Sequence, residues 1–198
     1  MNPEPGLRER KKQRTRETIA RVALDLFEKR GYHATTLDEI AEAADVSTRT
    51  IFSYYASKED ILFADFPEMK AALARALDER PHGTDALETL RGFILSLEKD
   101  ELHLRRVQIV RRDETLQGRE RARLAEVEAL VAAAIARDLN AADDDLRPRL
   151  IAASLIAAFE ALDARPDTAA PEDLAALVDP VFAFLSGGLE ALKQSNRA

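Results

Sequence analysis

An all-α fold is what this 198-residue sequence predicts, and three observations carry the prediction. Apolar residues recur at helical spacing from Ile19 to Leu189, good capping residues stand ahead of the stripes, and no segment alternates as a half-buried strand would. Two domains are expected: an N-terminal three-helix head over 1–57 built on a helix-turn-helix, and a larger helical domain over 58–198.

The first helix is marked by Ile19, Val22, Ala23, Leu26 and Phe27, and it stops at Lys29, Arg30 and Gly31, basic residues followed by a glycine. Thr36 and Glu39 then have capping-box spacing, so a second helix starts at about Leu37 with Ile40, Ala41 and Ala44 on its apolar face. Val46 follows a break at Asp45, and Ser47 caps a third helix that carries Ile51, Phe52 and Tyr55 inward. Small Ala41 suits the crossing, because helices meeting at about 90 to 120° over a turn of about 3 to 4 residues leave no room for bulk.

Ser57, with Asp60 three residues on, caps a fourth helix whose apolar face continues through Ile61, Leu62, Met69, Leu73 and Leu77. Pro67 either kinks that helix or begins a new one, since proline lacks an N–H and clashes with the preceding turn. Pro81, His82 and Gly83 mark a loop, and the remainder reads as helices over about 85–99, 102–113, 118–140, 146–164 and 172–193.

A helix-turn-helix presents its second helix to the major groove of DNA, with the N-terminal residues of that helix nearest the base edges. Here those are Thr48, Arg49 and Thr50. Arg49 either takes guanine O6 and N7 in a bidentate pair, worth about 1 to 3 kcal/mol of discrimination, or only pairs with a phosphate or solvates a surface turn. Charge distribution agrees with a polyanionic partner despite the net charge of −7. Residues 1–60 are neutral overall, with eleven basic and eleven acidic side chains, and Arg8, Arg10, Lys11, Lys12, Arg14 and Arg16 cluster at the entry to the first helix. Such an arm releases counterions from phosphates and makes affinity salt-dependent.

The block Ile51, Phe52, Ser53, Tyr54, Tyr55, followed by Ser57, Lys58 and Glu59, resembles the DNA-binding signature of the TetR family of bacterial transcription regulators. The resemblance covers roughly the first quarter of the chain. It implies that Thr50, Tyr54 and Lys58 grip the DNA backbone and that Thr36 meets a phosphate. With Ser47, Thr48, Arg49, Ser53 and the arm residues Arg10, Lys11 and Arg14, these make up the expected DNA-binding set. Two positions depart from the pattern. Asp45 stands where glycine is usual, and Phe52 where tyrosine is usual, so any hydrogen bond from that tyrosine hydroxyl is lost and Phe52 is read as core.

The same resemblance implies a homodimer through the last two helices, a palindromic operator, and a small-molecule effector received by helices five to eight. Stripes as wide as Leu150, Ile151, Leu155, Phe159 and Leu177, Val178, Val181, Phe182, Leu185 exceed what one neighbour buries. Phe93, Leu97, Leu104, Val107, Val110, Leu155 and Phe159 are candidate apolar wall, or else plain core, and His103, Arg106, Gln108 and Glu160 candidate polar contacts. Arg105, Arg106, Arg111 and Arg112 suit an anionic effector such as an acyl thioester, or else form a solvated face salted with acids.

Other classes find little support. The chain has no cysteine, hence no disulfide or thiolate metal site. No apolar run is read as approaching the roughly 20 residues of a bilayer span, and the start lacks the apolar core of a secretion signal, so a cytoplasmic location is expected. His33, His82 and His103 fall on different elements and no catalytic motif is present, so neither an enzyme, a cofactor nor a metal is expected. The rival readings are a helical binding or assembly protein that does not act on DNA, and an activator with the same DNA contacts.

Overall fold

The computed structural model describes residues 6–97, 101–163 and 174–195, which form ten helices and no strand. They are α1 (Leu7–Arg30), α2 (Leu37–Ala43), α3 (Thr48–Phe52), α4 (Lys58–Leu62), α5 (Phe66–Asp78), α6 (Ala86–Ser96), α7 (Glu101–Arg111), α8 (Glu114–Leu139), α9 (Arg147–Asp163) and α10 (Leu174–Ser195). The expected ends at 98–99, 164 and 172–173, and the side chain of Leu104, lie outside the described residues.

Two compact units result. One takes in the chain up to Asp65 together with Asp100–Glu114, and the other Phe66–Lys99 with Thr115–Ala198. In the first, α1 packs against α2, α4 and α7, and α2 against α3. Its core is Ile19, Ala23, Leu24 and Phe27 from α1, Ile40 and Ala41 from α2, Ile51, Tyr55, Ile61, Leu62 and Phe63, with Ile109 and Val110 from α7. Each large apolar side chain so buried stabilises by about 1.5 to 3 kcal/mol relative to exposure. This packing unit is wider than the 1–57 span, because it includes α4 and α7.

The ends of the elements have local causes. Gly31 stops α1 at φ 88°, a left-handed backbone that glycine adopts without strain, and its N–H donates to Phe27 O at 2.9 Å. Pro67 does not kink a continuous helix. α4 ends at Leu62, and Pro67 sits in the first turn of the separate α5, where its missing N–H costs no hydrogen bond. α6 stops at Ser96, where Leu97 turns to extended backbone, while α8 begins at Glu114, four residues earlier than expected.

In the second unit α10 packs on α9 and α6, and α5 on α6, around Leu73, Leu77, Leu87, Leu90, Val131, Ile135, Ile151, Leu155, Val178, Phe182, Leu185 and Leu189. One correction concerns α10. Its 19-residue stretch Leu174–Leu192 is long and apolar enough, by length and composition, to cross a membrane, contrary to the expectation of no such run. Its Val178, Phe182, Leu185 and Leu189 stripe instead faces the unit's core, and Asp179 pairs with Arg91.

Candidate nucleic-acid interface

The helix-turn-helix is held by reciprocal caps. Thr36 Oγ1 accepts the Glu39 N–H at 3.2 Å, and Glu39 Oε2 accepts the Thr36 N–H at 2.8 Å, the complete capping box. The Thr36 backbone N–H, then the Thr36 hydroxyl and Arg30, hold the Glu39 carboxyl below its ordinary range. Asp45 occupies the turn at φ 55°, so aspartate supplies the left-handed backbone for which glycine is the usual residue. Ser47 Oγ accepts the Thr50 N–H at 3.0 Å and shares a 2.8 Å hydroxyl contact with Thr50.

Inward and outward faces of α3 separate cleanly. Ile51 and Tyr55 are buried, and the Tyr55 hydroxyl donates to Arg16 O at 3.1 Å while burial pushes its phenol up. The Arg16 guanidinium lies 5.7 Å from the Tyr55 ring centroid and donates to Ala64 O at 2.7 Å, so Arg16 braces the head from within. Outward lie Arg49, Phe52 and Ser53, all exposed. Phe52 is 56% exposed, which overturns its reading as core. The physical reason is helical phase: Ile51 and Tyr55, four apart, already fill the inward stripe, and position 52 is rotated about 100° away.

Thr48 Oγ1 donates to Asp38 Oδ1 at 2.6 Å, a tie between α3 and α2 that the sequence reading missed, since nothing in the spacing singles out Asp38. Ser53 Oγ donates to Thr50 O at 2.7 Å. Thr50 and Tyr54 are half-buried at the edge of the same surface. Lys58 has a more internal place than a backbone-gripping lysine needs. Its ammonium donates to Tyr32 O and Thr35 O at 2.5 and 2.7 Å, 4.3 Å from the Tyr32 ring centroid, and burial pushes its pKa down. Arg10, Lys11 and Arg14 stand exposed along the first turns of α1, which are helical from Leu7.

The candidate effector residues are divided between the two units. Phe93 and Phe159 pack against the second unit's core and Leu155 is buried in it, whereas Leu97 and Glu160 of that unit are exposed. His103, Arg106, Val107 and Val110 belong to α7 in the first unit, with Val110 fully buried. The arginines of α7 are already engaged. Arg105 donates to Glu28 at 2.8 and 2.7 Å and to Asp25 at 2.5 Å, carboxylates that raise its pKa further, and Arg106 donates to Asp65 at 2.6 Å. For these two, the acid-salted face is the arrangement found, not a free anion site.

Comparison with known proteins agrees with this geometry. Residues 19–64 match the family model described as bacterial regulatory proteins, tetR family, and residues 95–190 match the MftR C-terminal domain. The chain is 37% identical over 161 residues to the HTH-type transcriptional regulator TcmR of Streptomyces glaucescens, covering 75% of this chain and 71% of TcmR. It is 28% identical over 194 residues to the Mycobacterium tuberculosis regulator MftR, tied by its name to mycofactocin biosynthesis, covering 93% and 96%. Among solved structures, Thermus thermophilus FadR in complex with lauroyl-CoA superposes with a TM-score of 0.57 at 26% identity, covering 86% of this chain and 92% of FadR. A head whose α3 turns Arg49 and Phe52 outward, joined to a helical C-terminal region matched along most of its length, places the chain in the TetR family of DNA-binding transcription regulators.

Proposed function

We propose that the chain acts in the cytoplasm as a homodimeric, ligand-responsive repressor, released from a palindromic operator by a small-molecule effector. The observation that carries the DNA half of this reading is the α2–α3 unit with both caps formed and Arg49 exposed, without a hydrogen bond or ion pair among the described residues. A guanidinium held on a rigid helix and left unpaired is available to a base edge. Thr36, Ser47, Thr50, Ser53 and Tyr54, with the arm residues Arg10, Lys11 and Arg14, are proposed as the surrounding backbone contacts.

For the dimer half, α10 carries Phe184 with 73% of its surface exposed, and α9 carries exposed Leu150. Large apolar side chains left in water on the outer faces of the last two helices favour burial against a second copy. A two-fold pair of heads then requires half-sites about 34 to 36 Å apart, or a multiple, and hence a palindrome. Effector binding falls, on this reading, to residues 58–198. Its effect is a shift between conformers that differ in operator affinity, which requires the effector to bind the two conformers unequally.

The test is fluorescence anisotropy on DNA from beside the chain's own coding region, or selected from a random pool, over a salt series. Arg49→Ala is expected to relax discrimination at particular bases, and Lys11→Ala or Arg14→Ala to weaken binding uniformly with a salt slope smaller by about 1 each. Weak binding indifferent to all three substitutions and to competitor sequence, with no palindrome from the pool, would instead establish a helical protein that does not act on DNA.

A further inference from the structure

Phe52 lies outside the buried core of the head, and it is the last residue of its DNA-facing helix α3. Ile51 and Tyr55 on either side are buried to 0% and 4% exposure, while Phe52 keeps 56% of its surface in water. It lies three residues from Arg49, so the exposed residues of α3 are one cation and one aromatic ring, with exposed Ser53 just past its end. On a helix, side chains three apart are neighbours, about 5 to 6 Å between Cβ atoms. A ring without a polar atom cannot hydrogen-bond a phosphate. In the major groove it finds one apolar partner, the C5-methyl group of thymine, which none of the other three unmodified DNA bases presents there.

We infer that Phe52 is a specificity-determining residue that selects a thymine by packing on its C5-methyl group, beside the base or phosphate engaged by Arg49. The inference rests on the operator-binding reading above and deepens it. Successive base pairs are about 3.4 Å apart, so the separation of Arg49 and Phe52 places the thymine within one or two base steps of the Arg49 contact. Because the contact involves no phosphate, it is independent of counterion release. A phosphate-gripping role for position 52 predicts the opposite, a salt slope that changes on substitution.

Deoxyuridine in place of thymidine removes only the methyl group and leaves every hydrogen bond of the base pair intact. The experiment selects an operator from a random-sequence pool with wild-type protein, then measures anisotropy with deoxyuridine at each thymine in turn, placed symmetrically in both half-sites. Burying one methyl-sized group changes affinity about fourfold, so one thymine position is expected to weaken wild-type binding by about an order of magnitude over the two half-sites. For Phe52→Ala the thymine and uracil operators should bind alike, with a salt slope equal to wild type. Phe52→Leu, which keeps an apolar side chain, should retain part of the discrimination, and circular dichroism verifies that both variants are folded. If uracil is tolerated at every position, or if its cost is undiminished in Phe52→Ala, the inference is overturned while operator binding stands. A pool that yields no motif would overturn the operator reading itself and this inference with it.

Discussion

Thr48, the first residue of α3, donates its hydroxyl to the carboxylate of Asp38 on α2 across 2.6 Å. The bond ties the start of the DNA-facing helix to α2 across the turn. Because both groups are near solvent, a double-mutant cycle of Asp38→Ala and Thr48→Val should give a coupling of about 0.5 to 1 kcal/mol in folding. Operator affinity should fall by more than that coupling accounts for, since a misaligned Arg49 loses its geometry as well. Additive effects on both folding and affinity would show that the bond aligns nothing.

Lys58 is expected to behave as a structural residue first. Its two hydrogen bonds tie the start of α4 to the carbonyls of Tyr32 and Thr35, in the segment that ends at the Thr36 cap. Hydrogen bonds from a charged donor are worth about 1.5 to 3 kcal/mol when lost, so Lys58→Met should lower the thermal midpoint even without DNA. A variant with an unchanged midpoint and only a reduced salt slope on DNA would return Lys58 to the phosphate contacts.

Acid should weaken the capping box. The Glu39 carboxyl is held below its ordinary value in the folded chain, chiefly by the Thr36 N–H, so the folded state binds this proton less readily than the unfolded state. Its stabilisation is therefore complete above the unfolded value, about 4.3, and is lost as pH falls through the lower folded value. Thermal unfolding of wild type against Glu39→Gln should show a gap at neutral pH that closes in acid. A gap that persists unchanged well below pH 3 would locate the effect elsewhere.

Phe184→Glu tests the assembly. A charge at a residue 73% exposed in the single chain should leave folding intact but split the proposed dimer. Light scattering should then report a monomer, and operator affinity should collapse because two linked heads no longer bind together. Dimer mass retained in the variant would move the interface away from this face of α10.

Much of the head is legible in the residues themselves. Thr36, Ser47 and Ser57 each cap the helix that their spacing announces, because a cap is a local hydrogen bond between near neighbours in sequence. Asp45 adopts the left-handed turn backbone at the break. Phe52 escaped because α3 has five residues, too few for periodicity to separate adjacent apolar positions, and aromatic character alone argues for burial. The pairings of Arg105 with Asp25 and Glu28, some 80 and 77 residues distant, were out of reach, since sequence shows charge but not the tertiary neighbour that neutralises it. The proposed effector residues suffer the same blindness: apolar helical positions look alike whether they face a ligand or plain core.

Adjacent arginines on a helix point about 100° apart, and α7 uses both. Arg105 reaches the acids of α1 while Arg106 reaches Asp65, so the helix is pinned in two directions within one turn. In kinematic terms, a roll of α7 about its own axis displaces both arginines from their carboxylates at once.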